Sequence, residues 1–388
     1  MTFWTILTYT DLILFILVAL TVLYLGIFAF TSLFARHSDT PKAKIQNRFI
    51  ILIPSHRKGN SVLLTVNSIL GQTYPQRLFD VTVIADHEDE ITLFHLAQQP
   101  VTLLTHNFEK SSRTKSLQLA VNNLPQFKIY DVVVILDAGD VVEPEFLEQM
   151  NDAYESAGTK AIQAHKLSFN RDTVSARLSA VFEEIDNSIF RRGHVSVGLS
   201  AAMSSSGMLY DFAWFKQQIL AAKINWADKE LEALLLRHHI YIDYFDKIVV
   251  YGEKERQAEE FNRQHRNWIL TQWLAALRNI RYLPKAIIQK HYDMIDKLLQ
   301  WMLLPRMVMM AIILLMCLIT PFIYFTMAIK WWVLFAIILF IFAVATPNYL
   351  VDDKWNSTFF KVPFVLMSTV LHKFKWGRKL TEAINLKS

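Results

Sequence analysis

Three long apolar stretches set the strongest limit on what this chain can fold into. Leu12 to Ala35, Met307 to Ile329 and Trp331 to Tyr349 are each about the length needed to cross a ~30 Å hydrocarbon core as a helix. With 53% hydrophobic residues the chain is unusually apolar, and the excess sits in these stretches. The first does not read as a cleaved signal peptide. Nothing basic precedes Asp11, and the bulky run Tyr24, Phe28, Phe30, Phe34 leads straight into Arg36.

The basic residues orient these spans. Arg36, Lys42, Lys44 and Arg48 follow the first, and Lys285, Lys290, Lys297 and Arg306 precede the second. Only Lys330 lies between the second and third, while Lys354, Lys361, Lys373, Lys375, Arg378 and Lys379 follow the third. An outside N-terminus, a cytoplasmic middle region and a cytoplasmic C-terminus are expected, in the plasma (inner) membrane. The formal net charge of +5 suits membrane lipid as a partner, with basic residues near anionic headgroups. No nucleic-acid partner is expected, because these residues track the spans rather than a soluble face. The sole cysteine, Cys317, excludes a disulfide within the chain and a cysteine-based metal site. His265 and the pair His238-His239 have no partner at zinc-ligand spacing. The spans, so bounded, hold no buried charge, which counts against a transporter.

Between the first two spans, strands and helices alternate, as in a parallel sheet covered on both faces. Strands are expected at 48–54, 79–85, 101–105, 131–136 and 204–210, and two short ones within 240–251. Helices are expected at 61–70, 113–123, 143–154, 173–192, from Ala213, from Asp228 and at 255–279. Two further amphipathic runs, 286–302 and 359–374, have the apolar and basic faces of interfacial helices. Packing on the soluble domain is an equal alternative for the helix at 255–279.

Ligands of such sheets bind at the carboxyl ends of the strands. That rule selects Pro54-Ser55-His56, Asp86 and Asp137. Asp137, in Asp137-Ala138-Gly139-Asp140, could share a hard divalent cation with a diphosphate or cap the following turn. Asp86 could accept from a nucleobase imide or serve as a turn carboxylate. Lys115, near a helix start, suits phosphate oxygens or solvent. Asp228 could take a proton from an attacking hydroxyl or cap its helix. In Gln264-His265-Arg266-Asn267-Trp268, arginine suits phosphate and tryptophan offers a face to a sugar ring or to the membrane interface.

In their shared order, these segments resemble the family-2 inverting glycosyltransferases of the hyaluronan, chitin and cellulose synthase branch. The segments are ILIPSHRKGNSVLLTVNSILGQTYP, VTVIADHEDEIT, SSRTKSLQLAVNN, VVVILDAGDVVEPEFL, FEEIDNSIFRRGH with SSSGM, and YGEKERQAEEFNRQHRNW. The resemblance implies a GT-A fold, an α/β Rossmann-like, mostly parallel sheet with flanking helices. It divides the chain into a membrane helix and linker (1–47), a cytosolic catalytic domain (48–254), interfacial helices (255–304), two spans (305–350) and a basic amphipathic tail (351–388). It further implies metal-dependent, inverting hexosyl transfer from a nucleotide sugar, with UDP first in line, and magnesium or manganese as cofactor. Asp228 would be the base. Pro54, Asp86, Lys115, Asp137, Gln264 and Arg266 would bind donor, and Trp268, Ser206 and Gly207 acceptor. Asp137 and Asp140 would hold the metal. A glycan or lipid-linked acceptor is implied, with a homo-oligomer or other polysaccharide-assembly proteins as partners.

Three positions depart from the family pattern. Gly139 stands where the second carboxylate of D-x-D belongs, Ala227 where a glutamate precedes the base, and Asn267 where the arginine of Q-x-x-R-W belongs, with Arg266 one place earlier. They sustain a second expectation, a non-catalytic or weakly active membrane subunit that serves as partner or scaffold.

Overall fold

The structure, a computed structural model, describes residues 3–35, 40–222, 227–254 and 258–350. Eight strands form one sheet: β1 (Phe49–His56), β2 (Phe79–Asp86), β3 (Thr102–His106), β4 (Val132–Ile135), β5 (Val141–Val142), β6 (Ala161–Ser168), β7 (Met208–Asp211) and β8 (Ile242–Gly252). Their order is β3-β2-β1-β4-β7-β6-β8-β5.

The sheet is mixed. The β3-β2-β1-β4 half is parallel throughout, as the alternating sequence pattern predicts. In the other half β6 and β8 pair in parallel, but β7 runs antiparallel to both β4 and β6, and β5 antiparallel to β8. The first half carries the continuous apolar runs expected of strands buried on both faces. β1, for instance, hides Phe49 to Ile53 completely. Two expectations change in the second half. The segment expected to hold two short strands within 240–251 forms one long strand, Ile242–Gly252, with a register shift opposite Ala164 and His165. The segment AIQAHKLS, with a histidine and a lysine inside it, is the buried strand β6.

The helices are α1 (Phe3–Ser32), α2 (Ser61–Leu70), α3 (Glu90–Ala97), α4 (Arg113–Asn122), α5 (Phe146–Ala157), α6 (Val174–Asp186), α7 (Phe212–Ala221), α8 (Ala227–Arg237), α9 (Ala258–Asn279), α10 (Leu283–Ile288), α11 (Tyr292–Met302), α12 (Arg306–Ile323) and α13 (Phe325–Ala345). α2 buries Val62, Thr65, Val66 and Ile69, the single stripe expected of a helix lying on a sheet. A π-helical turn, Asn187–Gly193, continues α6 where one regular helix was expected.

α1, α12 and α13 are long and apolar enough to cross a membrane. They pack on one another and on α6: Val18, Val22 and Leu25 of α1 meet Ile338 and Ile341 of α13, with Ala180 and Ile185 of α6 in the same cluster. α1 begins well before the expected Leu12, so Asp11 falls inside it. That aspartate is buried, ion-paired with Lys330 of α13, and accepts a 2.8 Å hydrogen bond from Trp331 Nε1. The expectation of spans without buried charge is therefore corrected. The apolar periodicity located the span but stopped at the first charged residue.

The amphipathic run 286–302 breaks into α10 and α11. One face of α9 to α11 packs Ala275, Ala286, Met294 and Trp301 against Ala233 and Leu236 of α8. Leu270, Leu277, Ile287, Ile288 and Leu299 stay exposed. The expected helix at 359–374 lies outside the described residues.

Candidate active site

The chain leaves β1, β2 and β4 at one end of the sheet, and most predicted polar residues collect there. Pro54 lies in β1 opposite Ile84, two residues before His56, which pairs in register with Asp86 at the end of β2. Asp86 is almost fully buried. Its Oδ1 lies 2.6 Å from His87 Nδ1 and accepts from the Phe108 amide at 3.2 Å, while Oδ2 lies 3.2 Å from His56 Nδ1. Burial pushes this carboxyl up, but hydrogen bonds from Ser111, His87 and Phe108, with His56 nearby, outweigh it and hold the group below its usual value. His56, Asp86 and His87 are the one trio of potential metal-ligand atoms gathered within 4.8 Å among the described residues. The strand-end rule had drawn attention to His56 with Pro54 and Ser55, whereas His87 was not among the sequence-based candidates.

Asp137 follows β4. Its amide donates to Ser206 Oγ at 3.0 Å, and the chain then turns through Gly139 at φ +101°, with the Gly139 amide donating to Thr65 Oγ1 at 2.9 Å. The carboxylate of Asp137 is ringed by donors. Arg113 Nη1 binds Oδ1, Ser205 Oγ donates to Oδ2 at 2.5 Å, and Lys166 Nζ stands 3.5 Å from Oδ2. Burial raises this carboxyl's pKa, yet Arg113 and Lys166 prevail and hold it well below the carboxylate range. Lys166 also reaches Asp140 Oδ2 at 3.2 Å.

Asp228 lies in the first turn of α8, about a third exposed. Arg113 Nε stands 3.2 Å from its Oδ1, so one guanidinium spans Asp137 and Asp228. Burial raises the Asp228 pKa, with Arg113 opposing and Asp137 adding to the rise. A carboxylate whose proton affinity is lifted in this way is a stronger base when ionised.

Three sequence-based roles need revision. Lys115 does not reach Asp137; its Nζ donates to the Lys110 carbonyl at 2.9 Å and lies over the Phe108 ring. Ser112 caps α4 and makes Arg113 its first residue, and two positions further on the helix has turned by about 200°. Arg113, rather than Lys115, is thus the basic residue of this segment that reaches Asp137. Ser206 and Gly207 are buried rather than open to an acceptor. Ser206 positions the Asp137 backbone, and Gly207, at φ +71°, fits between Ala164 and Val250. Arg266 is exposed on α9, and the side chains of Gln264 and Trp268 lie outside the described residues.

The family model for glycosyltransferase-like family 2 matches residues 47–271, more than half of the 388 residues. The chain belongs to this family. No curated protein matches this family 2 glycosyltransferase in sequence. Among solved structures, it is similar to the mannosyltransferase PcManGT from Pyrobaculum calidifontis in complex with GDP-Man and Mn2+. Identity is 11% over 96% of each chain, with a TM-score of 0.53. S. aureus TarS 1–349 gives 13% identity over 88% of this chain and 92% of that one, with a TM-score of 0.43. At 11% identity the likeness to PcManGT is one of fold, and the GT-A arrangement expected from the sequence is the arrangement found.

PcManGT was solved in complex with Mn2+; in this family 2 chain the residues expected from the sequence to hold a metal, Asp137 and Asp140, are ill suited to a divalent cation. Gly139 offers no carboxylate. Both oxygens of Asp137 face donors, and Asp140 Oδ2, which makes no hydrogen bond, faces the Lys166 ammonium. A cation there would have to displace lysine and arginine first.

Proposed function

We propose that this chain is a membrane-bound inverting glycosyltransferase. It moves a sugar from a nucleotide-sugar donor, UDP-sugars first in line, to a hydroxyl of a polysaccharide or glycolipid acceptor at the cytoplasmic membrane face. The observation that carries the reading is the convergence of Asp137, Arg113 and Asp228, from three separate elements, at the strand ends of a family 2 fold. The nucleobase would lie toward Asp86, His56 and His87, and the diphosphate toward Arg113. Pro54 would border the donor, with Gln264 and Arg266 approaching its phosphates and Trp268 the acceptor.

In this mechanism the acceptor oxygen bonds to the sugar C1 as the C1–oxygen bond to the diphosphate breaks. The hydroxyl proton passes to Asp228, and the electron pair departs with the nucleoside diphosphate. A single displacement inverts the anomeric carbon. The guanidinium offers planar, paired donors to the charge that grows on the leaving group. The three apolar helices would anchor the domain, N-terminus outside.

The scaffold reading keeps one specific support: Arg113 occupies the carboxylate that the mechanism needs free. Nucleoside-diphosphate release by the full-length protein in lipid separates the two. A panel of nucleotide sugars is supplied beside the Asp228→Asn variant. Release with one sugar, lost in the variant, supports transfer and names the donor. No release from folded protein with any donor favours the scaffold.

A further inference from the structure

We infer that this chain carries its active-site cation in covalent form, so that transfer needs no divalent metal. Lys166 fills the place between Asp137 and Asp140, and Arg113 presents positive charge to the donor's diphosphate. The inference rests on the transferase reading above.

The first argument is coordination. A hard divalent cation needs several oxygen ligands converging on one point. Around Asp137 the convergence is of donors instead: the Arg113 guanidinium, the Ser205 hydroxyl at 2.5 Å and the Lys166 ammonium at 3.5 Å. Asp137, Asp140 and Asp228 do not form a metal-ligand cluster among the described residues.

The second argument is backbone. The turn after β4 passes Gly139 at φ +101°, a conformation in which any other residue is strained. The carboxylate missing from D-x-D is thus missing from a position whose geometry disfavours an aspartate.

The third argument is packing. Lys166 is buried, and its ion pair with Asp140 lies against the Gly252 backbone. A Cβ at position 252 would come 2.8 Å from Asp140 Oδ1 and 2.9 Å from Lys166 Cε. The space is shaped around a lysine–aspartate pair that a hydrated metal would have to dismantle.

The charge count agrees. Arg113 and Lys166 together bring two positive charges, as a divalent cation does. Asp137 and Asp140 compensate them while the donor is absent. When the diphosphate arrives, the guanidinium can exchange a carboxylate oxygen for phosphate oxygens in a paired geometry. The leaving electron pair then meets fixed positive charge as the C1–oxygen bond breaks.

The test is binding of UDP and of GDP to the full-length protein in lipid, by calorimetry, with EDTA and with Mn2+, alongside Mn2+ uptake followed by electron paramagnetic resonance. The expected result is one nucleotide affinity, equal within about threefold in both conditions, and no stoichiometric Mn2+ uptake. Lys166→Met should weaken nucleotide binding about ten- to hundredfold in EDTA, the range for losing a charged donor. It should also gain Mn2+ uptake, because Asp140 then loses its cation and Asp137 keeps only Arg113 and Ser205. Nucleotide binding that requires Mn2+ in the wild type overturns the inference and leaves the transferase reading intact. A folded Lys166→Met that changes neither quantity overturns the role given to Lys166. If that variant does not fold, the wild-type comparison alone decides. No nucleotide binding in either condition overturns the transferase reading and this inference together.

Discussion

Asp86 and Asp137 hold similar places in the sheet and live in opposite surroundings. Each is a buried or half-buried aspartate where a parallel strand ends. Burial pushes both carboxyls up, and in both the neighbours win and hold them down. At Asp86 the neighbours are two imidazoles, a backbone amide and a hydroxyl. At Asp137 they are a guanidinium and an ammonium, helped by Ser205. In the proposed reading the Asp86 end recognises shape and hydrogen-bonding pattern, the Asp137 end meets a large negative charge, and a nucleoside diphosphate needs both.

The comparison extends to Asp228, which shares Arg113 with Asp137 but is shifted the other way. Asp228→Asn keeps the shape and loses the proton acceptor, so it should lower transfer by about 10²–10⁴-fold. Nucleotide affinity should stay within about threefold. Wild-type transfer in this variant, measured by diphosphate release, removes Asp228 from the mechanism. The raised pKa carries a sign. Only the ionised form accepts the proton, so transfer should fall with decreasing pH from a higher point than an ordinary aspartate would give. A rate flat into the ordinary carboxylate range contradicts that.

Arg113→Met attacks the cationic end directly. It should weaken UDP or GDP binding about ten- to hundredfold, as expected for loss of a charge-assisted donor pair. Lys115→Met, two residues on, should change binding by less than about twofold, because its ammonium faces Lys110. Equal losses in the two variants would erase the distinction drawn between these neighbours.

The same pair shows what the sequence could and could not convey. The apolar runs before Asp86 and Asp137 made both strand ends legible, and the motif order brought Asp228 to them. Choosing between Arg113 and Lys115 required the phase of α4, which depends on where Ser112 caps it. Lys166 was illegible for a different reason. Its strand carries His165 and Lys166 in the middle, and no apolar alternation marks it. Those polar groups are satisfied by partners distant in sequence, with His165 bonding Tyr244 at 2.5 Å and Glu184 at 2.9 Å. Ser206 and Gly207 stood out as a motif but are buried just before β7, where Ser206 accepts from the Asp137 amide and Gly207 fits between Ala164 and Val250.

Gly207 tests that last distinction. A Cβ there would lie 2.9 Å from Val250 Cγ2 and 3.2 Å from Ala164 Cβ, on a backbone at φ +71°. Gly207→Ala should cost about 1–3 kcal/mol through strain and overpacking. Thermal unfolding should show it as a lower Tm, with nucleotide affinity of the folded protein little changed. Normal stability with failed acceptor use would return Gly207 to the acceptor site.

The smallest effect concerns the pH response of Asp86. Its carboxyl is held below the usual value in the folded chain, so the unfolded chain binds its proton more readily. The stability it contributes is therefore fully present above the unfolded value of about 3.9 and is lost as pH falls through the depressed folded value. Asp86→Asn removes this linkage. The Tm difference between wild type and Asp86→Asn should stay level from neutral pH down to about 5 and shrink below about 4. A difference that already changes between neutral pH and 5 would mean that a group other than this aspartate sets the response.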